Sequence, residues 1–165
     1  MKKIDYKTVA ERLISNIGKG AFLTVKADNA LNTMTIGWAC IGFAWRKPTL
    51  MVMVRNSRHT FGIMERARDF TVCLPSSDMQ EALKFCGTKS GRDVDKYREC
   101  HLMLADAQKV NTPIIDTPGL HFECKLVFKS PMDPKYLDKE SEALYPAKDY
   151  HTLYFGEIAE CYETE

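Results

Sequence analysis

No stretch of this 165-residue chain approaches the ~18 consecutive apolar residues of a membrane span, so no transmembrane helix is expected. The six cysteines (Cys40, Cys73, Cys86, Cys100, Cys124 and Cys161) include no C-x-x-C pair, and the four histidines are isolated from one another. Zinc spacing is absent, no metal site is expected, and a disulfide framework is disfavoured. The opening Met1-Lys-Lys-Ile-Asp-Tyr6 has two lysines, but Asp5, Lys7, Glu11 and Arg12 interrupt any signal-peptide core, which makes the cytoplasm the expected location. A net charge of +1 argues against a dedicated nucleic-acid surface. There is no Ser/His/Asp order, paired-carboxylate signature, H-E-x-x-H or P-loop. Gly18-Lys-Gly20 precedes a strand and lacks a third glycine, so it is no dinucleotide fingerprint. No side chain is assigned a catalytic role; if this is an enzyme, its reactivity belongs to a bound cofactor.

What is present is an ordinary globular composition, 45% hydrophobic and 27% charged, in one domain spanning residues 1–165. Tyr6, Val9, Ala10, Leu13, Ile14 and Ile17 recur at helical spacing, with Asp5 as N-cap and Gly18 as stop. Residues 21–27 alternate as a strand, 28–32 form a turn, and 33–45 make a long β-like run containing Gly37 and Gly42. Strands are expected at 49–55, 69–74, 120–128 and 151–162, and a short helix at 58–67. Ser77 with Gln80 is a capping-box pattern for a helix through Phe85, with Gly87 past its end; Ser90 with Asp93 repeats it for a helix near 92–99. Strands dominate and helices do not alternate with them, so the expected fold is mainly β: an antiparallel barrel with peripheral helices.

Three segments carry candidate chemistry. Arg55, Ser57, Arg58 and Thr60 end an apolar strand and open a helix, a pattern that gathers guanidinium groups, hydroxyls and backbone N–H groups around an anion. Spacing alone leaves a second reading open, a solvated turn in which Ser57 merely caps the helix. Cys86-Gly-Thr-Lys-Ser-Gly-Arg-Asp93 with Lys96 either brings backbone and charge close to a ligand or simply connects two capped helices. Asn32-Thr-Met-Thr-Ile-Gly-Trp38 presents small groups against which a flat heterocycle could lie, or is a half-buried strand. His121 interrupts an amphipathic strand, as an outward-facing polar side chain or as a ligand contact.

The ordered set of segments resembles the flavin reductase-like, FMN-binding split-barrel family, particularly its flavoredoxin-type branch. The matching residues are 32–38, Gly42-Phe-Ala-Trp-Arg-Lys-Pro48, Val54-Arg-Asn-Ser-Arg-His-Thr60, 86–96, Leu120-His-Phe-Glu-Cys124 and Tyr154-Phe-Gly-Glu-Ile158. The resemblance implies a homodimer of six-stranded antiparallel split barrels with FMN near the subunit interface. It implies Asn32, Met34, Thr35, Ile36 and Trp38 around the isoalloxazine, and Arg55, Asn56, Ser57, Arg58 and Thr60 at the phosphate. It also implies closure by Cys86, Gly87, Thr88, Ser90, Gly91 and Lys96, with His121 in contact from another strand. His59 and Asn56 stand where related sequences often carry an aromatic residue and a proline. The implied activity takes electrons from NADH or NADPH through FMN to a small-molecule or protein acceptor. The alternatives are a non-enzymatic, flavoredoxin-like electron carrier and a small barrel binding nucleic acid through Arg46, Lys47, Arg55 and Arg58.

Overall fold

The computed structural model describes residues 2–76 and 78–165. Helix α1 (Tyr6–Asn16) starts where Asp5 accepts a hydrogen bond from the Lys7 amide and buries Val9 and Leu13. It ends before Gly18, in a 3-10 turn (Ile17–Lys19), and the left-handed conformation falls on Gly20 at φ +108°. β2 (Ala21–Ala27) then turns on Asp28 and Asn29 into β3 (Ala30–Ile36), so Asn32, expected in a turn, lies within a strand. The long run breaks at Gly37 and Trp38, and β4 (Ala39–Ala44) follows. A two-residue turn joins β4 to β5 (Lys47–Arg55), with Trp45 and Arg46 both left-handed at φ +50° and +60°.

The remaining strands are β1 (Lys2–Lys3), β6 (Asp69–Pro75), a two-residue hairpin β7 (Leu104–Ala105) and β8 (Ile114–Ile115), β9 (Gly119–Pro131) and β10 (His151–Thr164). Helix α2 (His59–Met64) follows the Arg55–Arg58 turn, and α3 (Gln80–Thr88) runs past Gly87 rather than ending before it. The expected cap at Ser77 lies outside the described residues. α4 (Lys96–Glu99) is capped by Asp95, which accepts from the Tyr97 and Arg98 amides, and not by Ser90. Asp93 and Ser90 instead close a turn ahead of it. The segment 131–149 holds a 3-10 turn (Pro134–Tyr136) and α5 (Lys139–Glu142).

The sheet runs β3-β2-β6-β9-β10-β5-β4, with β1 also on β10, and every pairing is antiparallel. Six strands carry buried residues around the core; β4 and β1 bury none. The ends β3 and β4 do not pair, so the barrel is split, as expected. Leu23, Val25, Leu50, Val52, Phe70, Val72, Phe122 and Tyr154 fill the core, and a second cluster of Phe22, Cys73, Leu83, Cys86, Leu102 and Ile115 seats α3. Cys73, Cys86, Cys124 and Cys161 are buried among apolar side chains, and every cysteine is free. Among the described residues no helix is long and apolar enough to cross a membrane, and no metal-ligating cluster is present.

Gly156 sits in β10 next to a register shift against β9. A Cβ there would lie 2.7 Å from Cys124 Cβ and from the Phe70 ring. Gly156→Ala should therefore destabilise the fold by about 1–3 kcal/mol through overpacking, read as a lower urea midpoint with an unchanged slope.

Candidate functional site

Two adjoining cavities share Met34 and Arg58. The first, of about 130 Å³, is bounded by Asn32, the start of α2, the last turn of α3 from Cys86 and the loop that follows it to Arg92, and it gathers Arg58, Lys89, Arg92 and Lys96. Lys96 is only 4% exposed. Its ammonium donates to the Thr33 carbonyl at 2.9 Å and the Cys86 carbonyl at 2.8 Å, and no ion pair to it is found among the described residues. Burial pulls its pKa down. A buried cation satisfied only by neutral carbonyls retains one N–H and an uncompensated charge, which suits an anion in the cavity.

The loop is fitted closely to this wall. Asn32 Nδ2 donates to Thr60 Oγ1 at 2.8 Å, both residues being buried. Gly91 lies so close that any Cβ would collide with the Asn32 side chain and press on His59. Thr88 Oγ1 turns back to the Lys84 carbonyl, Ser90 Oγ accepts from the Arg92 amide, and Arg92 donates to the Ser57 carbonyl at 3.3 Å.

The second cavity, of about 150 Å³, is lined by Met34, Thr35, Ile36, Gly37, Trp38, Met53, Arg55, Arg58 and His151. Thr35 Oγ1 is tied to the Leu83 carbonyl at 2.6 Å. Trp38 lies 5.1 Å from the His151 ring and 6.3 Å from Tyr145. Tyr145 Oη and His151 Nδ1 are hydrogen bonded at 2.8 Å. Tyr145 and His151 belong to a strap, residues 144–151, that Arg55 fastens: it donates to the Asp149 carbonyl at 2.9 Å, reaches the Leu144 carbonyl at 3.5 Å, and stacks 5.0 Å over Tyr145. The cavity is thus a slot of mixed character, with the Trp38 and His151 rings and the Met34, Ile36 and Met53 side chains beside two arginines.

Most of the residues singled out from the sequence are brought together. Asn32, Ser57, Thr60, Cys86, Thr88, Ser90, Gly91 and Lys96 line the basic cavity, Thr35, Ile36, Trp38 and Arg55 the second one, and Met34 and Arg58 both. Asn56 lines neither: its amide donates to Tyr150 and its Oδ1 accepts from Thr152. Gly87 packs against Thr35 inside α3. His121 also lines neither and, contrary to the outward-facing reading, is fully buried. It stacks 5.4 Å on Tyr162, and its Nε2 lies 3.0 Å from the Thr117 carbonyl and 2.9 Å from Thr164 Oγ1. The first half of β9 is covered on both faces, so alternation there does not separate core from solvent. Cys86 is buried and its thiol is pushed up to about 12, chiefly by burial, which leaves it a packing group at neutral pH. Sequence reasoning missed Met53, His151 and the strap. Only the pairing of His151 with Arg55 across β10 and β5 brings the strap to the site.

A split barrel whose basic cavity adjoins a slot edged by Trp38 and His151 has the charge and shape to suit a flat, anion-bearing small molecule. The flavin reductase like domain profile matches residues 18–165, and the chain belongs to that family. An uncharacterized protein of Archaeoglobus fulgidus is 27% identical over 137 residues, 83% of this chain and 68% of that protein. Flavoredoxin from Methanosarcina acetivorans is 26% identical with a TM-score of 0.66, covering 88% of this chain and 68% of that one. The FMN-binding protein of Thermus thermophilus, solved with 1-cyclohex-2-enone, has a TM-score of 0.69 at 20% identity, over 87% and 69% of the two chains. At that identity the likeness concerns the fold alone.

His151 makes the site sensitive to acid. Burial first, and then the Arg55 guanidinium, push its pKa down to about 4. The unfolded chain protonates this group near the ordinary value of about 6.5, so it binds more protons than the folded chain between those pH values, and stability falls as pH is lowered through that window. His151→Gln should lose less stability than the wild type between about pH 7 and about pH 5 in urea unfolding. His59 and His121 are also lowered, by burial first, and act alike in both proteins, so the difference isolates His151. Equal pH sensitivity would refute the assignment.

Proposed function

We propose that this chain is a single-domain FMN-binding oxidoreductase, in which electrons from NADH or NADPH pass through FMN to a small-molecule or protein acceptor. The observation that carries this reading is Lys96, a buried ammonium with no carboxylate partner among the described residues, at the wall of a basic cavity that shares Met34 and Arg58 with a slot edged by Trp38 and His151. Family membership, the flavoredoxin neighbour and the FMN-binding neighbour support it. When bound, FMN supplies hydride acceptance and onward electron transfer.

The residues present fit that group. Lys96 and Arg58, with Lys89 and Arg92 beside them, bind the phosphate through charge-assisted hydrogen bonds. The backbone of 34–38 would flank the ring system, with Trp38 and His151 beside it on the strap side. Tyr145 orients the imidazole, which burial keeps neutral, so the slot gains no further positive charge near neutral pH. The homodimer implied by the resemblance belongs to the same proposal. Exposed Phe43, Trp45 and Phe128, with Trp45, Phe128 and Phe155 within 5.5–5.7 Å of one another, offer an apolar face for it, and sedimentation velocity tests it.

The purified protein should show a flavin absorption spectrum, or acquire one with added FMN, and bleach on anaerobic addition of NADH or NADPH. A yellow protein inert to both nicotinamides would be an electron carrier instead. Arg58→Ala and Lys96→Met should each weaken FMN by roughly tenfold or more while leaving riboflavin affinity little changed. Unchanged FMN affinity in both would remove the phosphate assignment.

A further inference from the structure

The phosphate turn already holds an anion of its own. Ser57 N–H donates to Asp149 Oδ1 at 3.1 Å and Ser57 Oγ–H to Asp149 Oδ2 at 2.6 Å, so one carboxylate takes both donors. This is the grip that a turn applies to an oxyanion. Ser57 does not cap α2, whose N-cap is Arg58 without a side-chain bond. Ser57 lines the basic cavity beside Arg58, whereas Asp149 reaches it from the strap and is not among the residues lining that cavity.

We propose that Asp149 is an internal competitor for the phosphate turn and thereby sets how strongly the site prefers phosphorylated over unphosphorylated flavin. The inference rests on the FMN reading given above. A carboxylate and a phosphate are both negative and cannot share one N–H and one hydroxyl, so a phosphate that draws on Ser57 must displace the carboxylate. The exchange is local. Arg55 holds the strap through the carbonyls of Asp149 and Leu144 and through the Tyr145 ring, none of which involves the carboxylate. Lys148, immediately before Asp149, is left-handed at φ +54°, a conformation unfavourable for a lysine, and it delivers the carboxylate to the turn.

Asp149→Asn tests this, because the amide keeps the shape of the strap and can still bond Ser57 but carries no charge. FMN and riboflavin affinities are measured by flavin fluorescence for the wild type, Asp149→Asn, Ser57→Ala and the double variant. Thermal unfolding confirms that each is folded. Asp149→Asn should bind FMN roughly five- to tenfold more tightly with riboflavin unchanged, and the gain should shrink in the Ser57→Ala background. An unchanged or lower ratio of FMN to riboflavin affinity overturns the proposal. A gain of equal size in the Ser57→Ala background also overturns it, since Asp149 would then act only through a distant field. Flavin binding with either of those outcomes leaves the FMN reading standing; absence of binding to both flavins in all four proteins removes that reading and this inference together.

Discussion

The Lys96 ammonium is the interaction on which the site depends. Its two hydrogen bonds run to carbonyls on β3 and α3, while its own backbone starts α4. One side chain therefore staples the helical cap to the edge of the split barrel. The same bonds leave a charge that burial makes costly and that neutral carbonyls only partly offset. Building the wall and requiring an anion are two consequences of one burial. The close fit of Gly91 against Asn32, and of Asn32 against Thr60, then holds the loop where its cations face inward.

The strap plays the matching part for the second cavity. Arg55 is spent on holding it: its guanidinium bonds the Asp149 and Leu144 carbonyls and stacks on Tyr145. Through Tyr145 and His151 that hold reaches Trp38, and through Asp149 it reaches Ser57. The two cavities are thus linked mechanically by residues 144–151, a stretch with little regular structure. Arg55 serves the site by shaping it, Ser57 holds its two donors at the basic cavity, and Arg58 stands on the wall common to both cavities.

Much of this was legible beforehand. The strands at 21–27 and 49–55, the Asp5 cap and the mainly antiparallel β class follow from local pattern and capping chemistry, and they hold in the fold. The ordered motifs led to the family, and most of the residues they mark meet in two neighbouring cavities. The misreadings have physical causes. Gly87 stays helical because Thr35 packs on it. α4 is capped by Asp95 because that side chain, and not Ser90, reaches the free amides. His121 is buried because β9 is sandwiched between β6 and β10 and covered on both faces.

Sequence alone determined most of the long strands and which turn carries arginines and hydroxyls, because these depend on neighbours within a few positions. Only the tertiary structure decided who partners whom. That Lys96 lies buried on two carbonyls, that His151 walls the slot and that Asp149 occupies Ser57 all arise from contacts between residues ten to more than ninety positions apart. Those contacts are set by strand register and by the closure of the strap, and no local pattern encodes either.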